Sequence, residues 1–186
     1  MPGTTPRGYE YPLYGDTQNV PTQVQALAED IDADVQSLYT ANTTARNAPT
    51  ASISSTGILA TPSGALTTMT FTDELYDNAG MVNLGVNNTI ITIPQTGLYL
   101  VSGTVTFNIA ASTTPLACAL FLRSVGGLVP DISTVTKALG SPQTSLSMVS
   151  LTRCNAGETI SLATQHNYTS PIDVSPARLY VTKVAP

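Results

Sequence analysis

The chain has 186 residues, 10% of them charged and 42% hydrophobic, with a formal net charge of −5 at pH 7. That length allows one substantial domain plus an accessory segment. No basic patch exists, which excludes binding nucleic acid by phosphate neutralisation, and no run approaches the ~18 apolar residues of a membrane span, so no membrane insertion is expected.

The acids are unevenly placed. Residues 1–50 hold six acids and two bases, and residues 51–186 hold six acids and five bases. The balance of the composition is Thr, Ser, Asn and Gly, which suits a β-fold whose solvent face carries hydroxyls. So low a charge leaves sheet edges weakly protected, and neighbouring strands or subunits are expected to cover them. The run Met1–Glu10 has no apolar core of the secretory type, so synthesis in a cytoplasm without such a signal is expected.

In chain order, residues 1–19 interleave Pro2, Pro6, Pro12, Gly3, Gly8 and Gly15 with Tyr9, Tyr11 and Tyr14. Such a segment cannot build a helix or a core. Tyr9, Tyr11, Leu13 and Tyr14 have the chemistry of a peptide that docks on a partner, and a flexible tyrosine-bearing tail is the plain alternative. Residues 20–46 are predicted as one helix with Pro21 in its first turn. Val20, Val24, Leu27, Ile31 and Leu38 form a seam, continued by Ala41 and Ala45, with Asp34 in one core slot and Val35 beside it as a substitute after a local shift. The helix either docks on its own β-domain or bundles in parallel with copies of itself. The narrow stripe and the polar exit segment favour the bundle, a short trimeric coiled coil.

Residues 47–51 are predicted as a linker and residues 52–186 as strands and turns. Strands are expected near 53–59, 66–72, 81–85, 89–94, 98–109, 116–123, 144–153, 158–165 and 177–184, punctuated by turn signals such as Pro62-Ser-Gly64, Asp77–Gly80, Pro94–Gly97, Gly126-Gly127, Gly140-Ser-Pro142 and Asn155-Ala-Gly157. About nine or ten strands with no helical period define a mainly β fold, a sandwich or barrel. Its clearest stretch is Asn88–Asn108, two strands joined at Pro94-Gln-Thr-Gly97. Beyond that turn, Tyr99, Val101, Gly103, Val105, Phe107 and Ile109 share one face, and Ser102, Thr104, Thr106 and Asn108 the other.

That turn and strand, Ile93-Pro-Gln-Thr-Gly-Leu-Tyr99, resembles the trimeric jelly roll of tumour-necrosis-factor-like cytokines and complement globular heads. The order of elements around it is similar: Met69-Thr-Phe-Thr-Asp-Glu74, then Ala117–Leu128, Leu146–Leu162 and the closing strand Ala177–Val184. The resemblance implies a jelly-roll β-sandwich and a homotrimer. It places Tyr99, Val101, Val105, Phe107, Leu179 and Val181 on the strands of the core and trimer centre. The collagen-like stalk of that family is absent, and aliphatics replace most of its central aromatics. Tyr11-Pro-Leu-Tyr-Gly-Asp-Thr17 and Val24–Asp32 resemble the leader of small virion structural proteins of actinobacterial tailed phages. That second resemblance implies a capsid or tail protein as partner, a virion-surface location and a capsid-decorating head fibre or minor tail role. A host cell-surface glycan or protein is a further partner it allows, and a cell-encoded ligand-binding module of complement-head type is the competing reading.

No enzyme chemistry is expected. His166 is the only histidine, and Asp173 could orient it, but it reads as part of a polar loop, and no Gly-x-Ser-x-Gly elbow is present. On that reading His166→Ala leaves folding unchanged. Cys118 and Cys154 read as structural small hydrophobes; with His166 they lack any zinc spacing. Asp73, Glu74, Asp77 and Asn78 gather hard oxygen ligands, but a solvated turn fits them better than a calcium loop. No cofactor is expected.

Overall fold

The computed structural model describes residues 3–4, 10–11, 20–108, 116–125, 132–138 and 143–186. The chain divides into two compact units, Met1–Asn47 and Ala48–Pro186. In the first unit, β1 (Gly3–Thr4) pairs antiparallel with β2 (Glu10–Tyr11), so Tyr11 sits on a short ladder. Tyr9, Leu13 and Tyr14 lie outside the described residues. Helix α1 spans Val20–Arg46. Pro21 occupies its first turn, where a missing N–H breaks no helical bond, and Arg46 lies in the last turn, where a cation suits the helix dipole. Gln25 Nε2 donates to Glu29 Oε1 at 2.8 Å one turn on.

The second unit contains β3 (Thr50–Ser55), β4 (Leu59–Thr61), β5 (Thr67–Thr68), β6 (Asp73–Asp77), β7 (Ile90–Thr92), β8 (Gly97–Asn108), β9 (Leu116–Val125), β10 (Ile132–Ala138), β11 (Gln143–Cys154), β12 (Thr159–His166) and β13 (Ile172–Ala185). One sheet runs β10-β9-β12-β5, with β7 also pairing β12; the other runs β11-β8-β13-β3-β6, with β4 on β13. All pairings are antiparallel. The second unit is a jelly-roll sandwich, preceded in sequence by one helix. Ile53, Phe71, Ile91, Tyr99, Phe107, Leu120, Leu162 and Leu179 fill the space between the sheets.

Strand β8 shows the alternation legible in its sequence: Gly97, Tyr99, Val101, Gly103, Val105 and Phe107 are buried, and the residues between them are not. Ile109 lies outside the described residues. Its link to β7 is no hairpin. β7 belongs to the five-stranded sheet and β8 to the six-stranded one, so Ile93–Thr96 carries the chain across the sandwich. Tyr99 Oη donates to Gln95 O at 2.7 Å and pins the crossing, while Ile93 N donates to Glu158 O at 2.8 Å.

Other boundaries moved for local reasons. No strand covers 81–85, where the described residues form only an isolated Asn83–Asn87 bridge. The Asp77 carboxylate accepts from Ala79 N at 3.0 Å and Val82 N at 2.9 Å, and this bends the chain. β6, rich in acids and exposed, carries no alternation to read, yet pairs with β3 across a bulge. β10 lies where no strand was predicted. β3 begins at Thr50, inside the segment read as linker, and Ala51 is fully buried. The turns at Gly126-Gly127 and Gly140-Ser-Pro142 fall outside the described residues.

At Gly103 the facing sheet leaves no room for a side chain. A methyl there would run into Leu162 Cδ1 and stand 3.3 Å from Leu122 Cδ2. Gly103→Ala is therefore expected to cost about 1–3 kcal/mol by overpacking, read as a lower urea midpoint with an unchanged slope.

Candidate self-association interface

The outer face of the six-stranded sheet is built from the residues that alternate with the core set. In register across it stand Leu151, Leu100, Thr182 and Thr50; then Val149, Ser102, Tyr180, Ser52 and Tyr76; then Ser147, Thr104, Arg178, Ser54 and Asp73. The first two rows carry no charge. Val149 and Leu151 are 64% and 60% exposed in the single chain, and Tyr76 is 52% exposed. Hydroxyls tie neighbouring strands, with Thr50 and Thr182 Oγ atoms 2.8 Å apart and Thr106 and Ser145 Oγ atoms also 2.8 Å apart. Such a face combines exposed aliphatics with internally satisfied hydroxyls, so covering it removes apolar area from water without stranding those donors.

Tyr99, Val101, Val105, Phe107, Leu179 and Val181 are all at most 1% exposed and point into the sandwich. They shape the face from behind, and a partner would meet their neighbours Leu100, Val149, Leu151 and Tyr180 instead. The signal for those was present in Leu146-Ser-Met-Val-Ser-Leu151, where aliphatics occur at both parities, as in a strand covered on both sides. On α1, Val24, Ile31 and Leu38 are exposed, Leu27 is half-buried, and the Val20 side chain lies outside the described set.

His166 ends β12 and is 2% exposed, which corrects the polar-loop reading. Its Nε2 lies 2.8 Å from Thr61 O, and its Nδ1 accepts from Tyr168 N at 3.2 Å. The carbonyl needs a donor, so the proton sits on Nε2, and both ring nitrogens are committed to holding chain segments together. The imidazole is buried with partners on both nitrogens, which removes the premise on which His166→Ala was expected to leave the fold unchanged. Asp173 is exposed on β13, paired across the sheet with Ala60 and Asn108. A shallow depression of about 240 Å³ lined by Ser54, Thr104, Pro176 and Arg178 opens on the outer face, and its lining offers hydroxyls but no imidazole or carboxylate base.

Both cysteines are buried free thiols. Burial pushes Cys118 up to about 11, and burial with the Glu158 charge does the same to Cys154. Among the described residues no group of three His, Cys, Asp or Glu side chains could hold a metal ion, and no helix is long and apolar enough to cross a membrane. Asn78 Oδ1 accepts from Thr50 N at 2.8 Å, and its Nδ2 donates to Ala48 O at 3.0 Å.

Burial alone would raise Asp77, but the backbone N–H groups of Ala79, Met81, Val82 and Gly80 outweigh it and hold the carboxyl below its ordinary value of 3.8. A folded-state value lowered in this way adds stability above the ordinary value, and that stability is lost as pH falls through the folded one. Asp77→Asn is therefore expected to lower the urea midpoint at pH 7, with the difference from the parent shrinking below pH 4 or so. A pH-independent difference would assign the effect to packing.

No family model and no curated protein matches the chain. Solved structures do. The chain is similar to the globular domain of zebrafish complement 1qA protein, with a TM-score of 0.52 and 16% identity over 73% of this chain and 97% of that one. It is similar to murine APRIL, with a TM-score of 0.52 and 11% identity over 74% of this chain and 99% of that one. The likeness is one of fold, a jelly-roll head of the tumour-necrosis-factor and complement type.

Proposed function

We propose that the chain is a non-enzymatic, homotrimeric fibre or spike on the surface of a phage virion. Its β-head self-associates through the outer face of the six-stranded sheet, and residues 1–19 dock on a capsid or tail protein. The observation carrying the self-association is the uncharged pair of rows holding Val149, Leu151, Leu100 and Tyr180, with the two aliphatics of β11 more than half exposed in the single chain. The virion placement is supported by the resemblance of Tyr11–Thr17 and Val24–Asp32 to phage leaders. As a capsid decoration or head fibre it would stabilise the particle; as a minor tail protein it would bind a host glycan or protein. The likeness to a complement head favours a second reading, a cell-encoded ligand-binding module.

Three copies held together raise the effective concentration of the leader, so a weak contact per copy gives durable attachment. The chain is expected to sediment as a trimer at micromolar concentration and to bind particles lacking the native protein. A variant starting at Val20 should remain trimeric and lose attachment. Attachment of that variant at the full-length level would move the docking site off the leader, and a trimer that binds no particle supports the second reading.

A further inference from the structure

Most of helix α1 is exposed, and its large exposed aliphatics fall along one row. Val24 is 59% exposed, Ile31 46%, Val35 52% and Leu38 65%. Together with Ala28 and Asn42, which are also exposed, they stand four and three residues apart in alternation. That is a heptad row with no charged member. The row predicted from sequence shares Val24, Ile31 and Leu38 but fills the intervening slots with Leu27 and Asp34. Both of those are half-buried, as are Gln23 and Ala26. At about 100° per residue, these four side chains lie roughly a quarter turn from the row.

We propose that copies of this chain associate as a parallel helical bundle through Val24, Ala28, Ile31, Val35, Leu38 and Asn42, with Leu27 and Asp34 flanking the seam. The proposal rests on the self-association reading above and specifies which helix face meets its copies. Charge placement argues for a second copy as the occupant. Glu29, Asp30, Asp32 and Asp34 all lie off the row. Parallel copies in register set Leu27 against Asp32 and Asp34 against Tyr39, so no acid opposes an acid across the flanks.

Connectivity supports the parallel sense. Only residues 47–49 separate Arg46 from β3, so heads joined side by side start their helices from equivalent points. Asn42 is the one amide in the row, and a polar residue at such a position fixes register between copies.

The test uses the full chain with single substitutions Val35→Cys and Asp34→Cys. Cys118 and Cys154 are buried and do not compete. A disulfide needs Cα atoms within about 7 Å, so under mild oxidation Val35→Cys is expected to cross-link between copies roughly tenfold faster than Asp34→Cys. Faster cross-linking of Asp34→Cys, or equal rates for the two, in a chain that still sediments as a trimer overturns the proposed row and leaves self-association standing. A chain that sediments as a monomer overturns both.

Discussion

Val149→Asp combined with Leu151→Asp is expected to convert the proposed trimer into a folded monomer at micromolar concentration. Both side chains are more than half exposed in the single chain and face away from the core, so the change costs the head little stability. In the assembly, each buried aliphatic contributes on the order of 1.5–3 kcal/mol, and every copy brings two. The carboxylates that replace them would have to shed water with no cation in the two central rows to receive them. Helices of about three heptads are marginal by themselves, so the bundle is not expected to hold the heads together. Sedimentation equilibrium measures the loss, and circular dichroism checks that the sandwich persists. Val86→Asp is the control, because Val86 is 82% exposed on the connection between β6 and β7. A double variant that remains trimeric would show that this face is not the contact surface.

His166→Ala is expected to destabilise the head by about 3 kcal/mol, since an unsatisfied buried polar group costs about 1–3 kcal/mol and the imidazole also leaves a cavity. Two segments lose their tie to the end of β12, β4 through Thr61 O and the turn at Tyr168 through its N–H. Urea unfolding reads the loss directly. His166→Gln should recover part of it, because an amide can donate and accept within similar reach. Equal stability of parent and His166→Ala would mean that neither bond contributes measurably.

The residues that made the fold legible are those whose neighbours along the chain suffice. Tyr99 to Phe107 alternate because a strand's side chains must, and the Ile93–Tyr99 turn carries its own Pro and Gly punctuation. The helix 20–46 is likewise a local pattern, and its bounds follow from Pro21 and the polar exit. Where local patterning was weak, the reading slipped. β6 is an exposed edge whose acids hide its extended form, and residues 81–85 were bent by a carboxylate four residues upstream of the stretch.

What tertiary structure alone decided is where each side chain's partner lies. Ile93–Thr96 looks like a hairpin loop, yet it crosses between sheets because β7 finds β12 and β8 finds β11 and β13. His166 looks like a loop residue until β4 brings the Thr61 carbonyl to its ring. Asp34 is half-buried and Val35 exposed, a difference that the spacing along the helix does not show. Period and punctuation are written in adjacent residues; register across strands and the covering of a face arise from contacts between residues distant in the chain, whose energies no local window contains.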